Sequence, residues 1–449
     1  MSKTFEYLAE NQGRFIDEIK EFCRQPSISA QNVGMKEMSD LVVKYLKRLG
    51  VETRILSKDG FIPVIYGELK GLSSKSILIY NHYDVQPPDP LDEWESDPFL
   101  PVERDGKIYA RGVSDNKGTL LSRLYAIEAM LKTMGKLPYT IKFLIEGEEE
   151  IGSPNLKDVL DENAELLKAD LCLWENSFKD ENDRPVIRLG NKGFCIVELH
   201  SKVLSKDYHS RFAPILPNAV WRLVWALASL KDQSEFILID GFYDDVLEIS
   251  QAEKAVLEIM DFNEDRIKEK SGASTFLVNA SGNQAIQNLY SKPTCNIAGI
   301  KGGYTGTGAK TILPAKAFAK VDIRLVPNQD PDDIYTKLVK HLQKHGFDDI
   351  SVRPVAQYKA SKTRLDDPYV KLVCQAGKDV YGEDMVIEPN SPGSGPRFLL
   401  DDNKMPIIAI GVGYAGSNNH APNENIKIID FFQATKHVIK ILEYFSKEC

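Results

Sequence analysis

The sequence lacks paired cysteines: its six, Cys23, Cys172, Cys195, Cys295, Cys374 and Cys449, show no C-x-x-C spacing. Neither a disulfide framework nor a thiolate zinc site is signalled, so any metal must be held by histidine and carboxylate. Positive charge is not in excess either, and the formal net charge of −9 argues against a nucleic-acid or anionic-membrane surface, both of which need clustered Lys and Arg. No apolar run approaches the length of a membrane span. The N-terminus, Met1-Ser2-Lys3-Thr4-Phe5-Glu6, carries an acid where a signal peptide needs an apolar core. A cytoplasmic protein with no nucleic-acid and no membrane partner is the expectation. Internal repeats and low-complexity tracts are also missing, while 449 residues suffice for two or three domains around a large core.

What is present first is alternation. Helical apolar spacing at Phe15 to Phe22 and Met38 to Leu49 is interleaved with strand-like Val51 to Leu56, Val64 to Leu69 and Ser76 to Tyr80. The last of these is short and wholly apolar, as in a strand buried on both faces of a mostly parallel sheet. A helix at Leu120 to Met134, a strand ending at Ile145, a helix from about Asn155 to Leu167 and a strand at Ala169 to Trp174 continue the pattern. From Gly193 to Ser201 apolar and polar residues alternate instead, followed by an amphipathic helix at Ala219 to Leu230, a strand at Ala317 to Leu325 and a helix from about Asp332 to Lys344. The closing strand at Pro406 to Val412 and helix at Phe431 to Phe445 return to the first style. The expected fold class is α/β: a discontinuous domain, 1–190 and 358–449, with a central mostly parallel sheet flanked by helices, interrupted by an α+β unit over 191–357 with one wet sheet face.

Chemistry concentrates at the strand ends. The strand Tyr139 to Ile145 runs into Glu146-Gly147-Glu148-Glu149-Glu150, where three consecutive carboxylates repel one another unless a cation is near. If one acid binds a metal while its neighbour takes a proton from water, the pair can hydrolyse. His82-Tyr83-Asp84 follows Ile77-Leu78-Ile79-Tyr80, and residues two apart in an extended chain share a side, so His82 can ligate while Asp84 orients it. Asp115 precedes a helix and reads equally as a cap or as a carboxylate bridging two cations. Glu175 ends the strand Leu171-Cys172-Leu173-Trp174, and His420 lies in a Gly- and Asn-rich loop after an apolar strand. Singly, each has an ordinary reading as triplet, cap or loop residue. Together, two histidines and three carboxylates with one acid left over match the needs of a pair of borderline divalent metals joined by a bridging carboxylate.

The strings N-H-Y-D-V-Q-P-P, D-P-F-L-P, D-G-K-I-Y-A-R-G-V-S-D-N-K-G, E-G-E-E-E-I-G-S, G-A-K-T-I-L-P and D-I-R-L-V-P-N occur in that order. With them the chain resembles the metallopeptidase family of carnosinase and cytosolic nonspecific dipeptidase. Desuccinylases, deacetylases and glutamate carboxypeptidase are wider relatives. The resemblance implies a hydrolase for dipeptides or short peptides with a free C-terminal carboxylate, or alternatively for N-acyl amino acids. It also implies two divalent metal ions per subunit, Zn²⁺ first and Mn²⁺ as the alternative, and a homodimer formed through a ferredoxin-like lid over 191–357.

By that resemblance His82 and Glu175 ligate one metal, Glu150 and His420 the other, and Asp115 bridges them. Asp84 supports His82, Glu149 is the general base, and Glu148 is spare. His209 corresponds to a histidine that reaches the partner subunit's site, and Thr311, Arg324 and Ser394 correspond to substrate contacts. Lys310 and Arg397 read equally as pocket charges and as surface residues. Two departures bear on substrate choice: after His209-Ser210 the family's glycines are replaced by Arg211-Phe212-Ala213-Pro214, and Glu175 stands where the nearest dipeptidases have Asp.

Overall fold

The computed structural model describes residues 2–448; Met1 and Cys449 lie outside the described residues. Its first sheet has eight strands in the spatial order Glu52–Ile55, Ile65–Leu69, Thr140–Glu146, Ser76–His82, Leu171–Trp174, Ile407–Ala409, Val186–Arg188 and Val386–Glu388. Ser76–His82 runs parallel to both neighbours, and Leu171–Trp174 is parallel to Ile407–Ala409, while the edge formed by Glu52–Ile55 and Ile65–Leu69 is antiparallel. The fold is thus mixed α/β with a mainly parallel centre.

The apolar run explains why Ser76–His82 lies innermost. Ile77 and Ile79 enter the core beneath the helices Gln12–Arg24, Gly118–Met134 and Ile428–Phe445, whereas Leu78 and Tyr80 enter a second core with Leu144, Cys172, Trp174 and Ile407 on the opposite face. A strand with two buried faces has no polar positions to spare until it ends, which pushes its chemistry to the terminal His82. Helix boundaries follow local chemistry. Pro368–Tyr381 begins at Asp367, whose side chain accepts from Tyr369 N at 2.8 Å, and stops at Gly382, at φ +79°. The single helix expected from Asn155 to Leu167 is two, Leu156–Glu162 and Ala164–Leu167, because the Asn163 side chain bonds back to Val159 O at 2.9 Å and competes with the helical backbone.

The second sheet is wholly antiparallel, in the order Thr294–Gly302, Lys316–Leu325, Gly193–Lys202, Ile350–Tyr358. With the helices Ala219–Ala228 and Pro331–Lys344 it makes a β-α-β-β-α-β arrangement. Cys195, Val197 and Leu199 point from alternate positions of one strand into a core of its own. Tyr358, one residue past the expected boundary, belongs to the last strand, and the chain returns to the first unit at a crossing where Ser361–Lys362 pairs with Gly190–Asn191.

Between the second sheet's first helix and Thr294–Gly302 the described residues form three further α-helices, Gln251–Glu258, Glu264–Ser271 and Gly282–Ser291. They strap back onto the first unit. Asn390 Nδ2 donates to Tyr290 O at 3.3 Å, Arg184 donates to Ile259 O at 3.0 Å, and Lys362 pairs with Glu253. No helix among the described residues is long and apolar enough to cross a membrane.

Candidate metal centre

The C-terminal ends of the parallel strands open into one cleft, of about 660 Å³, lined by Asp115, Glu149, Glu175, Ser394 and His420. Carbonyl groups at strand ends leave the ladder and need donors. The fully buried Arg123, from the helix Gly118–Met134, supplies them: it donates to Tyr80 O at 2.6 Å, Leu173 O at 3.2 Å and Ile410 O at 3.1 Å, and also to Trp174 O. Three strands are pinned by one guanidinium directly under the site.

His82 ends its strand completely buried. Its Nδ1 lies 3.1 Å from Asp84 O and 3.2 Å from Asp84 Oδ1, and its Nε2 points at Asp115 Oδ1, 3.0 Å away, and Glu175 Oε2, 3.5 Å away. The other Asp84 oxygen accepts from Glu150 N at 3.0 Å, so one carboxylate steadies both a histidine and the acidic turn. His420, exposed and at φ +63° in its loop, sets Nε2 at 3.3 Å from Asp115 Oδ2 and 3.2 Å from Glu150 Oε2. Asp115 thus lies between the two imidazoles, with Asn176 Nδ2 at 2.5 Å and Asn419 Nδ2 at 3.3 Å on its oxygens. Gln86 holds Glu150 Oε2 at 2.9 Å.

Among the described residues, two triads have potential ligand atoms within 4.8 Å of one another: His82, Asp115 and Glu150, and His82, Glu149 and Glu175. Glu149 therefore stands as close to His82 as a ligand would. Glu148 turns away, both its oxygens taken by Asn155 Nδ2 at 2.9 Å.

The electrostatics are those of crowded acids. Burial first, then the charges of Glu150, Asp115 and Asp84, pushes the Glu149 carboxyl up to about 8, with His82 opposing. Burial also raises Glu175 well above the carboxylate range, opposed by His82. For Asp115 burial acts upward, but the bonds from His420 and His82 outweigh it and hold the carboxyl far below its usual range. His420 is pushed up to about 10 by its bonds to Asp115 and Glu150. Carboxylates packed this tightly call for cation charge, and the N/O donor set suits a borderline dication. The residues fit a metal.

The other candidates lie further out. Arg324 donates to Ser394 Oγ at 2.9 Å, and Ser394 lines the cleft. His209 is exposed in the second unit, its Nδ1 accepting from Arg211 N at 3.1 Å and its Nε2 3.5 Å from Thr311 Oγ1; neither nitrogen is bonded to the acids of the cleft. Lys310 is exposed over the Tyr304 ring. Arg397 is neither pocket charge nor surface: it is buried at the crossing between the units, donating to Leu189 O and to Thr363 Oγ1 at 2.9 Å.

Sequence reasoning passed over Arg123, the asparagines on Asp115, and Glu424. The fully buried Glu424 accepts from the backbone on both sides of the loop that carries Asp115. The signal for Glu424 was its place four residues after His420; a buried acid serving backbone amides has no periodicity to betray it. Asp261, from the strap, also lines the cleft.

The sequence profile of Peptidase family M20/M25/M40 matches residues 78–444, a span containing the whole cleft. The chain is 31% identical to the Cys-Gly metallodipeptidase dug1 of Schizosaccharomyces pombe, over 97% of this chain and 96% of that protein. It is 27% identical to the Beta-Ala-His dipeptidase of Rattus norvegicus, over 97% and 94% respectively. Among solved structures, the M20 family metallo-carboxypeptidase Sso-CP2 from Sulfolobus solfataricus matches with a TM-score of 0.89 at 40% identity, covering 96% of this chain and 99% of that one.

Proposed function

We propose, from the premise that this chain belongs to peptidase family M20/M25/M40, that it is a dinuclear-metal hydrolase cleaving the amide bond of dipeptides or short peptides with a free C-terminal carboxylate. The observation that carries this reading is the convergence of His82, Asp115, Glu150, Glu175 and His420 at one cleft, with a further carboxyl, Glu149, within 4.8 Å of His82 and Glu175. Burial and the neighbouring acids raise the Glu149 carboxyl, so it takes up a proton more readily than an ordinary carboxylate, as a group that accepts one during hydrolysis must.

His82 and Glu175 would hold one cation and Glu150 and His420 the other, with Asp115 shared between them; zinc is the metal favoured by this donor set and manganese the alternative. When bound, such ions act as Lewis acids and make water acidic enough to lose a proton near neutrality. Glu149 takes that proton and returns it to the leaving amine. Asp84 keeps His82 oriented.

Arg324, steadied by Ser394, grips the substrate's terminal carboxylate, and Thr311, beside His209, is a further substrate contact. The relatives support this: one is named a metallo-carboxypeptidase and two are named dipeptidases. His209 stabilises the tetrahedral oxyanion of a partner subunit. The unit over 191–357 acts as a lid and, in this reading, as the dimer contact, where Trp221 and Trp225 are exposed on its helix and Ile297 and Ile300 on its edge strand.

The deciding experiment is parallel hydrolysis of dipeptides and of acetylated and succinylated amino acids by protein loaded with Zn²⁺ or Mn²⁺. The expected result is a clear preference in kcat/KM for dipeptides. Preference for the acyl compounds would overturn the substrate class while leaving the metal hydrolase in place.

A further inference from the structure

Glu424 is buried with no exposure, yet it is not among the residues proposed to touch a cation or substrate. Its Oε2 accepts from Arg111 Nη1 and Gly112 N, both at 2.9 Å, and its Oε1 from Ser114 N at 2.9 Å and Asp115 N at 3.0 Å. Its own backbone oxygen accepts from Ala110 N at 3.1 Å. The 110–115 segment is therefore gripped at four backbone amides by one residue.

We infer that Glu424 is a positioning residue for the metal centre: its carboxylate fixes the loop on which Asp115 projects and ties that loop to His420, four residues earlier on the same strand-end segment. The inference rests on the proposed function, since it gives Asp115 the shared place between two cations.

The loop needs such a hold. Gly112 turns it through φ +81°, and Asp115 leaves the helical backbone at φ −119° and ψ 90° before Gly118–Met134 begins. Amide groups in this geometry cannot bond along a helix, and buried they require an acceptor. A carboxylate with two oxygens and two donors on each satisfies three of these amides and the Arg111 guanidinium at once. Arg111 neutralises it, lying 5.2 Å from the Trp94 ring and donating to Pro87 O at 3.3 Å. Because the Asp115 side chain starts from a backbone whose N–H is clamped, a rotation of that peptide moves its carboxylate away from both His82 and His420.

The test is Glu424→Gln, which keeps size but offers one acceptor oxygen and puts an NH₂ group against two of the donors. The apoprotein is titrated with Zn²⁺ against a chromophoric chelator, and amide exchange of the 110–117 segment is followed without metal. Zn²⁺ affinity and kcat are expected to fall about 10–100-fold, the range for residues that orient ligands, with KM little changed and faster apo exchange at Ser114 and Asp115. Glu128→Ala is the control. It breaks the pairs with Arg14 and Arg48 at the far end of the same helix and should leave Zn²⁺ affinity unchanged. Should Glu424→Gln not fold, Glu424→Asp keeps the charge opposite Arg111 but reaches fewer amides, and its Zn²⁺ affinity should still drop. Wild-type Zn²⁺ affinity in the Glu424 variants, or an equal loss in Glu128→Ala, overturns the positioning role. If the wild-type apoprotein takes up no Zn²⁺, the proposed function fails, and the positioning role with it.

Discussion

The strand-end cleft and the loop carrying His209 differ in how much of a site one chain supplies. In the cleft, His82, Asp115, Glu150, Glu175 and His420, from five separate segments, pair histidine to carboxylate at 3.0 Å to 3.5 Å, on backbone pinned by Arg123 and Glu424. His209 is exposed and bonded only within its own unit. A centre that binds charge has to be rigid before the charge arrives, because like-charged groups will not assemble unaided. A group that serves only the transition state can instead be delivered by a moving lid or a second subunit. Completeness in one place and isolation in the other are what a two-part catalyst requires.

The most severe test of this contrast is to remove the proposed base, Glu149, from the complete half. Glu149→Gln keeps shape but cannot take a proton, and kcat should fall by about 10²–10⁴, with metal content and circular dichroism unchanged. Turnover near the wild-type rate in a metal-loaded sample would remove Glu149 from the mechanism.

Delivery across subunits is the next largest effect. His209→Ala should cost about 10²–10³ in kcat if the ring holds an oxyanion. Mixing it with Glu149→Gln separates the two arrangements. In a symmetric dimer with His209 acting on its partner, each mixed dimer has one doubly damaged site and one intact site, so roughly a quarter of wild-type activity should return on random exchange. If His209 serves its own chain, nothing returns.

Arg324 bridges the two halves through Ser394. Arg324→Lys keeps the charge but loses the planar fork, and KM for dipeptides should rise about tenfold or more, with kcat less affected. An amidated substrate should show no such difference between the two proteins.

The same contrast explains which parts were readable from sequence. The acids and histidines of the cleft were legible because a doubly buried strand such as Ser76–His82 can carry polar side chains only at its end, so chemistry there has a position as well as a residue type. The residues beneath them were not. Arg123 and Glu424 serve backbone atoms from long range, and nothing near them in sequence reports it. Arg397 looked like a surface or pocket charge for the same reason: its partners Leu189 and Thr363 meet only where the chain crosses between units. The strap helices escaped because each is only two to three turns long and buries few side chains, Leu257 in the first and Ala285 and Ile286 in the last, too few to mark a helix in an otherwise polar stretch. The strap reaches the cleft through Asp261, in the turn between its first two helices, where an acid reads as ordinary loop polarity.

The smallest effect expected lies away from both halves, and it separates pH effects on folding from those on the site. His437 is buried between the helices Pro368–Tyr381 and Ile428–Phe445, with Nε2 2.9 Å from Val373 O, and burial lowers it from 6.5 to about 4. The folded state therefore keeps the ring neutral while the unfolded chain takes up a proton once pH falls below 6.5. The sign is a loss of stability on acidification, starting near pH 6.5 and complete near pH 4. Its size is about 3 kcal/mol at most, since each pH unit separating the folded and unfolded titrations is worth roughly 1.4 kcal/mol. His437→Gln has no proton to take up, so its stability should decline less than the wild type's over that interval in urea titrations, while kcat at neutral pH stays the same. Parallel declines in the two proteins would remove His437 as the source of the acid sensitivity, and Glu149 and Glu175 could not replace it: burial raises both, so the folded state holds their protons more tightly than the unfolded chain does and acidification works in their favour.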